Sequence, residues 1–342
     1  MNTMNHSNIN LNLTYDDIQL VPRYSEVESR KNIDLTTQLT TNYSIAVPLV
    51  ASCMDTVCEA DMAIAMAEMG GIGCIHRFMT IDDQMHQVAT VADTIDTSMP
   101  VMAAVGANGD YLERAHELVD AGVNIILIDV AHGHHTFVKN AISQLKAMLP
   151  DDIDIIAGNV ATAGGAIDLA EWGADGVRVG VGGGSLCTTR IRTGFGVPNI
   201  SSILQSTPCG VPVMADGGIR TSGDIAKALA VGASTVMLGS LLAGTKEAPG
   251  SIVEKSNGLY KRYRGAASLE TKTVHGQEVR NVEGESTVVP FKGGVKFVVE
   301  GLLDGIRSAL SYAGASNLTD FHPEFIQVSA AGAREASPHL IY

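Results

Sequence analysis

The chain has 342 residues, 45% of them hydrophobic and 18% charged, so it can bury the core of one large α/β domain. Its formal net charge of -14 argues against a basic groove for nucleic acid, and we predict neither DNA nor RNA as a partner. Its five cysteines lack paired spacing, and no apolar leader or bilayer-length apolar run occurs, so we expect a cytoplasmic protein without a membrane partner.

Eight short apolar, β-branched runs predict the strands of a parallel sheet. They cover residues 47–52, 72–76, 101–105, 125–130, 153–158, 176–180, 211–215 and 235–239. Segments between them have apolar residues at helical spacing, at 60–69, 111–121, 137–148, 163–172 and 223–231. This alternation favours a closed (β/α)8 TIM barrel over an open doubly wound sheet, since the Gly-rich turn follows the sixth strand and not the first. We therefore predict that residues 1–342 form a single barrel domain.

A long connection, residues 241–294, separates the eighth predicted strand from an apolar-periodic helix predicted over 295–313. Loops of this length are usually functional, so we predict a flap over the C-terminal mouth of the barrel. The alternative is a disordered surface excursion. Residues 76–100, between the second and third strands, have room for little more than one helix, so no accessory domain is expected there.

The C-terminal ends of barrel strands are where functional groups gather. Asp216, Gly217 and Gly218 follow the seventh strand, and Gly239 and Ser240 follow the eighth. Phosphate commonly binds between these two loops, where glycine N–H groups and a helix N-terminus point at it, so a phosphorylated ligand is predicted. Asp216 is placed to accept hydrogen bonds from ribose hydroxyls; the alternative is that it caps the next helix.

Three histidines, His132, His134 and His135, follow Asp129 at the end of the fourth strand. They could ligate zinc, but metal-dependent barrel hydrolases usually need further ligands from other strand ends, and the first strand ends without a His pair. We favour a ligand pocket lined by Asp129, with the histidines at its rim.

A glycine-rich loop after the sixth strand holds one thiol, Cys187, followed by two hydroxyls. Gly180, Gly182 and Gly184 alternate along this loop and permit positive φ angles, so that backbone groups can converge on a phosphate or a cation. Cys187 is therefore a candidate nucleophile. The alternative is a small buried cysteine that packs as a hydrophobe.

Six short motifs, taken together, resemble the inosine-monophosphate dehydrogenase and guanosine-monophosphate reductase family over nearly the whole chain. The matching segments are residues 13–18 (LTYDDI), 54–57 (MDTV), 158–160 (GNV), 187–190 (CTTR), 215–220 (ADGGIR) and 263–265 (YRG). The resemblance implies a (β/α)8 barrel without a CBS accessory domain, assembled as a homotetramer. It also implies a purine nucleoside monophosphate as substrate and a nicotinamide dinucleotide as its redox partner.

The same resemblance implies roles for individual residues, with Cys187 forming a covalent bond to C2 of the purine. The implied substrate contacts are Ser52, Met54, Ser185, Asp216, Gly217, Gly218, Gly239, Ser240, Tyr263, Gly265, Ala266, Ala267, Arg280 and Gly284. The implied dinucleotide contacts are Arg77, Asp129, Val130, Ala131 and Arg280. Carbonyls of Gly182, Gly184 and Cys187 are implied to bind a potassium ion, a hard cation suited to oxygen ligands.

The direction of the reaction depends on the flap. The dehydrogenase of this family hydrolyses its adduct with an Arg–Tyr pair, yet no tyrosine occurs between Tyr263 and Tyr312. The flap resembles that of the reductase, in which a glutamate, here Glu283, works with the threonine two residues beyond the cysteine, here Thr189. A proton relay without a strong water-activating base suits a reductase. The resemblance therefore implies that NADPH reduces GMP to IMP and ammonia.

Some residues depart from the reductase pattern. Gly183 stands where proline is common in the family, and Ala266 stands where methionine is usual. Ser52-Cys53 and residues 331–339 resemble the dehydrogenase, in which the latter segment supplies potassium ligands to a neighbouring subunit. The alternatives are thus an IMP dehydrogenase without the accessory domain, a paralogue for a related purine nucleotide, or a catalytically silent nucleotide-binding barrel.

Overall fold

The computed structural model describes residues 11–274 and 282–334. The chain enters through three short strands, β1 (Ile18–Leu20), β2 (Thr37–Gln38) and β3 (Ser44–Ile45). Eight parallel strands then follow, β4 (Leu49–Ala51), β5 (Ile72–Ile75), β6 (Met102–Val105), β7 (Ile125–Asp129), β8 (Asp154–Val160), β9 (Gly176–Val179), β10 (Val213–Asp216) and β11 (Thr235–Leu238). They pair in chain order, and β11 pairs with β4, so the predicted TIM barrel is confirmed.

Helices lie between the barrel strands, as the sequence pattern predicted. They are α1 (Ala60–Glu68), α2 (Ile81–Thr94), α3 (Tyr111–Asp120), α4 (Thr136–Met148), α5 (Ala163–Glu171), α6 (Thr189–Thr193), α7 (Asn199–Ser206) and α8 (Ser222–Ala230). The predicted strands agree with the structure to within two residues at each end, and the predicted helices to within one. Between β5 and β6 the structure has the single helix α2.

The barrel strands have two buried faces, because side chains alternate between the barrel axis and the helices. On the axial side Val50, Met102, Leu127, Met214 and Met237 pack into one cluster, which the β2–β3 hairpin extends. Their neighbours along the strands pack instead against the helices. A side chain at an axial position near the end of a strand must therefore face the mouth of the barrel.

The connection after β11 is built on a three-stranded antiparallel sheet, which the sequence analysis did not predict. Its strands are β12 (Val253–Lys255), β13 (Gly258–Arg264) and β14 (Ser286–Pro290), and the helix α9 (Leu269–Val274) follows β13. The buried Lys261 Nζ on β13 donates to carbonyls of Thr245 and Lys246, each at 3.2 Å. The described part of this connection is therefore ordered, and the alternative of a disordered excursion is wrong for it.

The C-terminal part of the chain returns to the barrel. The helix α10 (Val295–Tyr312) packs on α8, and the strand β15 (Phe325–Gln327) pairs antiparallel with β1 before the short helix α11 (Ala330–Arg334). Within the described ranges, no helix combines the length and the apolar content that a bilayer crossing requires.

Candidate active site

One cavity of about 900 Å³ at the C-terminal mouth of the barrel brings the predicted site residues together. Its size is typical of a small-molecule site. Arg280 lies outside the described residues, and all other predicted site residues line the cavity: Ser52, Met54, Arg77, Asp129, Val130, Ala131, Gly182, Gly184, Ser185, Cys187, Thr189, Asp216, Gly217, Gly218, Gly239, Ser240, Tyr263, Gly265, Ala266, Ala267, Glu283 and Gly284.

Cys187 starts a chain of hydrogen bonds within this cavity. Its Sγ donates to Thr189 Oγ1 at 3.2 Å, and Thr189 Oγ1 donates to Glu283 Oε2 at 2.7 Å. Cys187 is half-buried and lines the cavity, so the alternative of a fully buried, packed cysteine is wrong. In contrast, Cys58 and Cys74 are fully buried, and burial raises the pKa of both thiols.

Backbone hydrogen bonds join the loop of Cys187 to the described end of the flap. Thr188 N donates to Glu283 O at 2.8 Å, and Glu285 N donates to Leu186 O at 3.0 Å. Glu283 N in turn donates to Ala267 O at 3.1 Å. The carboxylate of Glu283 is thus fixed to the nucleophile loop by its own main chain and is positioned beside Thr189.

Hydroxyls and glycines meet at the other end of the cavity. Gly217 and Gly218 adopt positive φ angles of 88° and 75°, a conformation that other residues rarely take. The hydroxyls of Ser185 and Tyr263 lie 3.1 Å apart. Burial raises the pKa of Tyr263, so its phenol stays protonated near neutral pH and can donate. This end of the cavity offers neutral donors suited to a phosphate.

Asp216 and Asp129 are joined by Arg178, a residue that the sequence analysis missed. Arg178 Nη1 donates to Asp129 Oδ1 at 2.7 Å, and its Nε donates to Asp216 Oδ2 at 3.1 Å. Burial alone would raise the pKa of Asp129, but the guanidinium groups of Arg178 and Arg77 outweigh it and hold this pKa below its ordinary value. Both carboxylates therefore line the cavity and share the buried guanidinium of Arg178 as a partner.

The alternative role of Asp216 as a helix cap is wrong. The helix α8 is capped by Thr221, whose side chain accepts a hydrogen bond from Asp224 N. Asp216 Oδ2 instead accepts from Asn159 Nδ2 at 2.7 Å, and Asn159 lines the cavity. Asn159 is the second site residue that the sequence analysis missed.

The alternation of side chains along β9 could have identified Arg178 as a site residue. It lies between Val177 and Val179, whose side chains face the helices, so Arg178 must face the barrel axis. A charged residue at an axial position needs partners, and the carboxylates that end β7 and β10 supply them. A Cβ on Gly158 would lie only 2.6 Å from Arg178 Cβ, so this glycine leaves the space that the arginine occupies.

The three histidines after β7 are exposed and do not line the cavity. His134 Nε2 lies 2.7 Å from Asp168 Oδ2, and His135 Nδ1 accepts a hydrogen bond from Phe137 N. In the part of the chain that the structure describes, no three His, Cys, Asp or Glu side chains are grouped as metal ligands.

Known proteins of similar sequence align with nearly the whole of this chain. The inosine-5'-monophosphate dehydrogenase of Cryptosporidium parvum is 39% identical and aligns over 98% of this chain and 97% of its own length. The corresponding protein of Nitrosopumilus maritimus is 34% identical over 466 aligned positions, more than the 342 residues here, so that relative carries residues that this chain lacks.

A solved structure matches the fold closely. It is a GMP reductase from Trypanosoma brucei, a cysteine-to-alanine variant in complex with guanosine 5'-monophosphate, with a TM-score of 0.92 and 31% identity. It covers 98% of this chain and 99% of that one. The family model for the IMP dehydrogenase / GMP reductase domain matches residues 12–339. The chain belongs to the IMP dehydrogenase / GMP reductase family.

Proposed function

We propose that the protein catalyses the reductive deamination of GMP to IMP and ammonia through a covalent bond between Cys187 and C2 of the purine. The observation that carries the proposal is the chain of hydrogen bonds from Cys187 Sγ through Thr189 Oγ1 to Glu283 Oε2. Both donors point toward Glu283, which is the direction in which a thiol proton must leave to make a thiolate.

In this proposal the relay of Cys187, Thr189 and Glu283 transfers one proton during the first half of the reaction. As Sγ bonds to C2, the thiol proton passes through Thr189 Oγ1 to Glu283. It then returns by the same path to the departing amine, the C2–N bond breaks, and ammonia leaves. Hydride addition at C2 breaks the C–S bond and restores the thiolate, so GMP, a reduced dinucleotide and two protons give IMP, ammonium and the oxidised dinucleotide.

The remaining cavity residues would bind and orient the nucleotide. Gly217 and Gly218, with the hydroxyls of Ser185 and Tyr263, would hold the phosphate, while Asp216 would accept from the ribose hydroxyls. Ser52, Met54 and residues 265–267, which also line the cavity, would surround the base. In this proposal the phosphate contacts bind the nucleotide, and the Cys187 thiol forms the covalent bond.

The nicotinamide dinucleotide is proposed to bind along the wall that Arg77, Asp129, Val130 and Ala131 form. When bound there it supplies the hydride, and the family resemblance names NADPH. A second cavity of about 810 Å³ shares Arg77 and Phe78 with the first, so a long dinucleotide has room beyond the wall. Arg77 Nε is buried and lies 3.6 Å from Asp129 Oδ2, so an ion pair joins the two residues of this wall.

We also propose a potassium ion at the carbonyls of Gly182, Gly184 and Cys187. Gly180 and Gly182 have positive φ angles, which give the loop the curvature that converging carbonyls require. When bound, the ion would fix the loop that bears the nucleophile. We expect replacement of potassium by tetramethylammonium in the assay to lower activity, and added potassium to restore it.

The protein is proposed to act as a cytoplasmic homotetramer.

A second candidate is the oxidation of IMP to XMP with NAD. It is favoured by the relatives of 34% and 39% identity, both of which are IMP dehydrogenases. In that reaction the same thiolate would attack C2 of IMP, hydride would leave C2, and water would release the product. The Arg–Tyr pair that activates this water in the family is missing from the sequence, which is why the reductase is preferred.

Two assays of the purified protein decide between these functions. One offers GMP with NADPH or NADH and follows loss of the reduced dinucleotide; the other offers IMP with NAD and follows its formation. The proposal expects turnover with GMP and release of ammonia and IMP. Turnover of IMP alone would contradict the reductase and support the dehydrogenase.

A further inference from the structure

A buried amide outside the cavity lining connects two loops of the proposed site. Asn199, at the start of α7, is 4% exposed, and its Nδ2 donates to the carbonyl of Asp216 at 3.1 Å and also to that of Gly217. These carbonyls belong to the loop proposed to hold the substrate phosphate. Asn199 does not line the cavity, so any effect it has on the reaction must pass through this loop.

The same amide lies against the loop that carries the thiol. A Cβ on Gly183 would lie 2.4 Å from Asn199 Oδ1 and 2.8 Å from its Nδ2. Side chains do not approach a carbon atom so closely, so the amide occupies space that only glycine leaves. Proline also carries a Cβ, so a proline at position 183 of this chain would meet the same amide.

The two loops are in direct contact beside this amide. A Cβ on Gly217 would lie 2.9 Å from Gly184 N and 3.0 Å from Gly183 C. Cys187 N donates to Gly184 O at 3.1 Å, which ties the backbone of the thiol to the residues that meet the phosphate loop. A shift of either loop must therefore move the other.

We propose that Asn199 is a positioning residue that couples the phosphate-binding loop to the loop of Cys187, and that Gly183 supplies the space it needs. The inference rests on the proposed function, because it assigns the nucleophile to Cys187. A nucleotide phosphate that orders Gly217 and Gly218 would, through Asn199, also fix residues 183 and 184. The sulfur would then be held in place for the purine only when the phosphate is bound.

Three variants and a matched control test the coupling by kinetics. The methyl group of Gly183→Ala must displace the Asn199 amide and break the hydrogen bonds that Asn199→Ala removes. Each single variant should lower kcat/KM by roughly 10- to 100-fold, as a small displacement of a reacting group does. The double variant should be no worse than Asn199→Ala, because both changes abolish one interaction. Gly164→Ala, at a glycine with no atom within 4 Å of its added Cβ, should leave the rate unchanged.

A second experiment measures the coupling of the two loops without catalytic turnover. Ribose 5-phosphate fills the phosphate end without a base, and iodoacetamide alkylation of Cys187 can be followed by peptide mass spectrometry. In the wild type we expect ribose 5-phosphate to slow this alkylation at least about fivefold, the lower range of a coupling between two sites. In Asn199→Ala the effect should disappear. If that variant does not fold, Asn199→Asp, which keeps the size but loses the Nδ2 donor, gives the same comparison.

Two results would overturn the coupling: a double variant whose loss is the product of the single losses, or an alkylation response that is equal in Asn199→Ala and the wild type. The outcome is distinct from that of the proposed function. A wild type without GMP turnover, whose Cys187 still responds to ribose 5-phosphate only when Asn199 is present, would refute the reductase and support the coupling.

Discussion

Among the described cysteines, Cys53 and Cys187 line the cavity, but Cys53 is buried and Cys187 is partly exposed. Cys209 is also partly exposed and does not line the cavity. We expect Cys187→Ala to abolish turnover while GMP still binds, because the proposed phosphate contacts lie elsewhere. Calorimetric titration with GMP, beside a steady-state assay, measures both. Cys209→Ala is the matched control and should keep full activity. Equal loss of binding and turnover in Cys187→Ala would mean that the thiol is structural.

A substitution of Glu283 tests whether the site uses a proton relay in addition to the nucleophile. Glu283→Gln removes the acid that returns a proton to the amine, so we expect ammonia release to slow by about 10²- to 10⁴-fold, the range of general acid–base catalysis. Hydride transfer to an adduct already formed should slow less. Single-turnover kinetics separate the two steps.

The neighbouring Glu285 serves as the control for this change. It is exposed and does not line the cavity, so Glu285→Gln should match the wild type in both steps. Unchanged rates of both steps in Glu283→Gln would remove Glu283 from the mechanism.

Arg178 contributes to stability as well as to the site. Arg178→Met would leave Asp129 and Asp216 without their buried cation, and we expect a loss of about 3–5 kcal/mol in the free energy of unfolding near pH 7. Since folding lowers the pKa of Asp129, its favourable contribution is present above the ordinary carboxyl pKa and is lost as pH falls through the folded-state pKa. The difference between variant and wild type should therefore shrink as the pH is lowered from about 4 toward the folded-state pKa of Asp129.

Denaturant unfolding near pH 7 and below about pH 4 measures this effect. Arg262→Met is a suitable control because Arg262 is exposed and its ion pair with Glu270 lies at the surface, where such pairs contribute little. A difference that grows at the lower pH would contradict the pairing of Arg178 with ionised carboxylates.

At the scale of elements, a largely buried ion pair helps to attach the flap sheet to the barrel. Arg264 at the end of β13 donates to Asp55 Oδ2 from Nε at 2.9 Å, and its Nη2 lies 2.7 Å from the same oxygen. Asp55 follows Met54, and Arg264 precedes Gly265, so the pair joins two segments proposed to surround the base. Arg264 N also donates to Thr56 Oγ1 at 3.2 Å.

We expect Arg264→Met to raise KM for the nucleotide and to lower kcat/KM by about tenfold or more, because the ion pair that holds these two segments together is broken. Limited proteolysis should cut residues 241–294 sooner in this variant. Arg262→Met, on the same strand but exposed, should change neither measurement. An Arg264→Met enzyme with wild-type KM would show that the pair does not position the base contacts.

The sequence predicted the barrel elements well but not the flap sheet, for physical reasons. Barrel strands such as β7 are buried on both faces, so their apolar runs stand out from the amphipathic helices. In contrast, β13 alternates exposed and buried residues among charged ones, as in the segment from Tyr260 to Arg264, and its pairing with β14 spans a long connection. Nothing local marks such long-range pairing.

The sequence likewise predicted some residues of the candidate site and missed others. Residues in motifs at strand ends, such as Cys187 and Asp216, could be found from the chain alone. Arg178 is hidden inside an apolar strand, and Asn159 was noted only as part of a motif. Asn199 could not be found, since its role depends on the close approach of two glycine loops that are distant in sequence from one another.

For the molecule as a whole, the closed barrel explains why distant segments form one site. Parallel strands place all their C-terminal ends at one mouth, so Asp129, Arg178 and Asp216 meet although they come from β7, β9 and β10. The end of the flap adds Glu283 to the same mouth. The net charge of -14 is compatible with an anionic ligand because the proposed phosphate site uses neutral donors.

The most direct measurement is the mass of the protein after brief incubation with GMP alone, or with IMP and NAD, followed by acid quench and peptide mapping. The account predicts a purine nucleotide bound covalently to the peptide of Cys187 and to no other cysteine, and with GMP one ammonia released for each adduct. A protein that turns over either nucleotide pair without any adduct at Cys187 would contradict it.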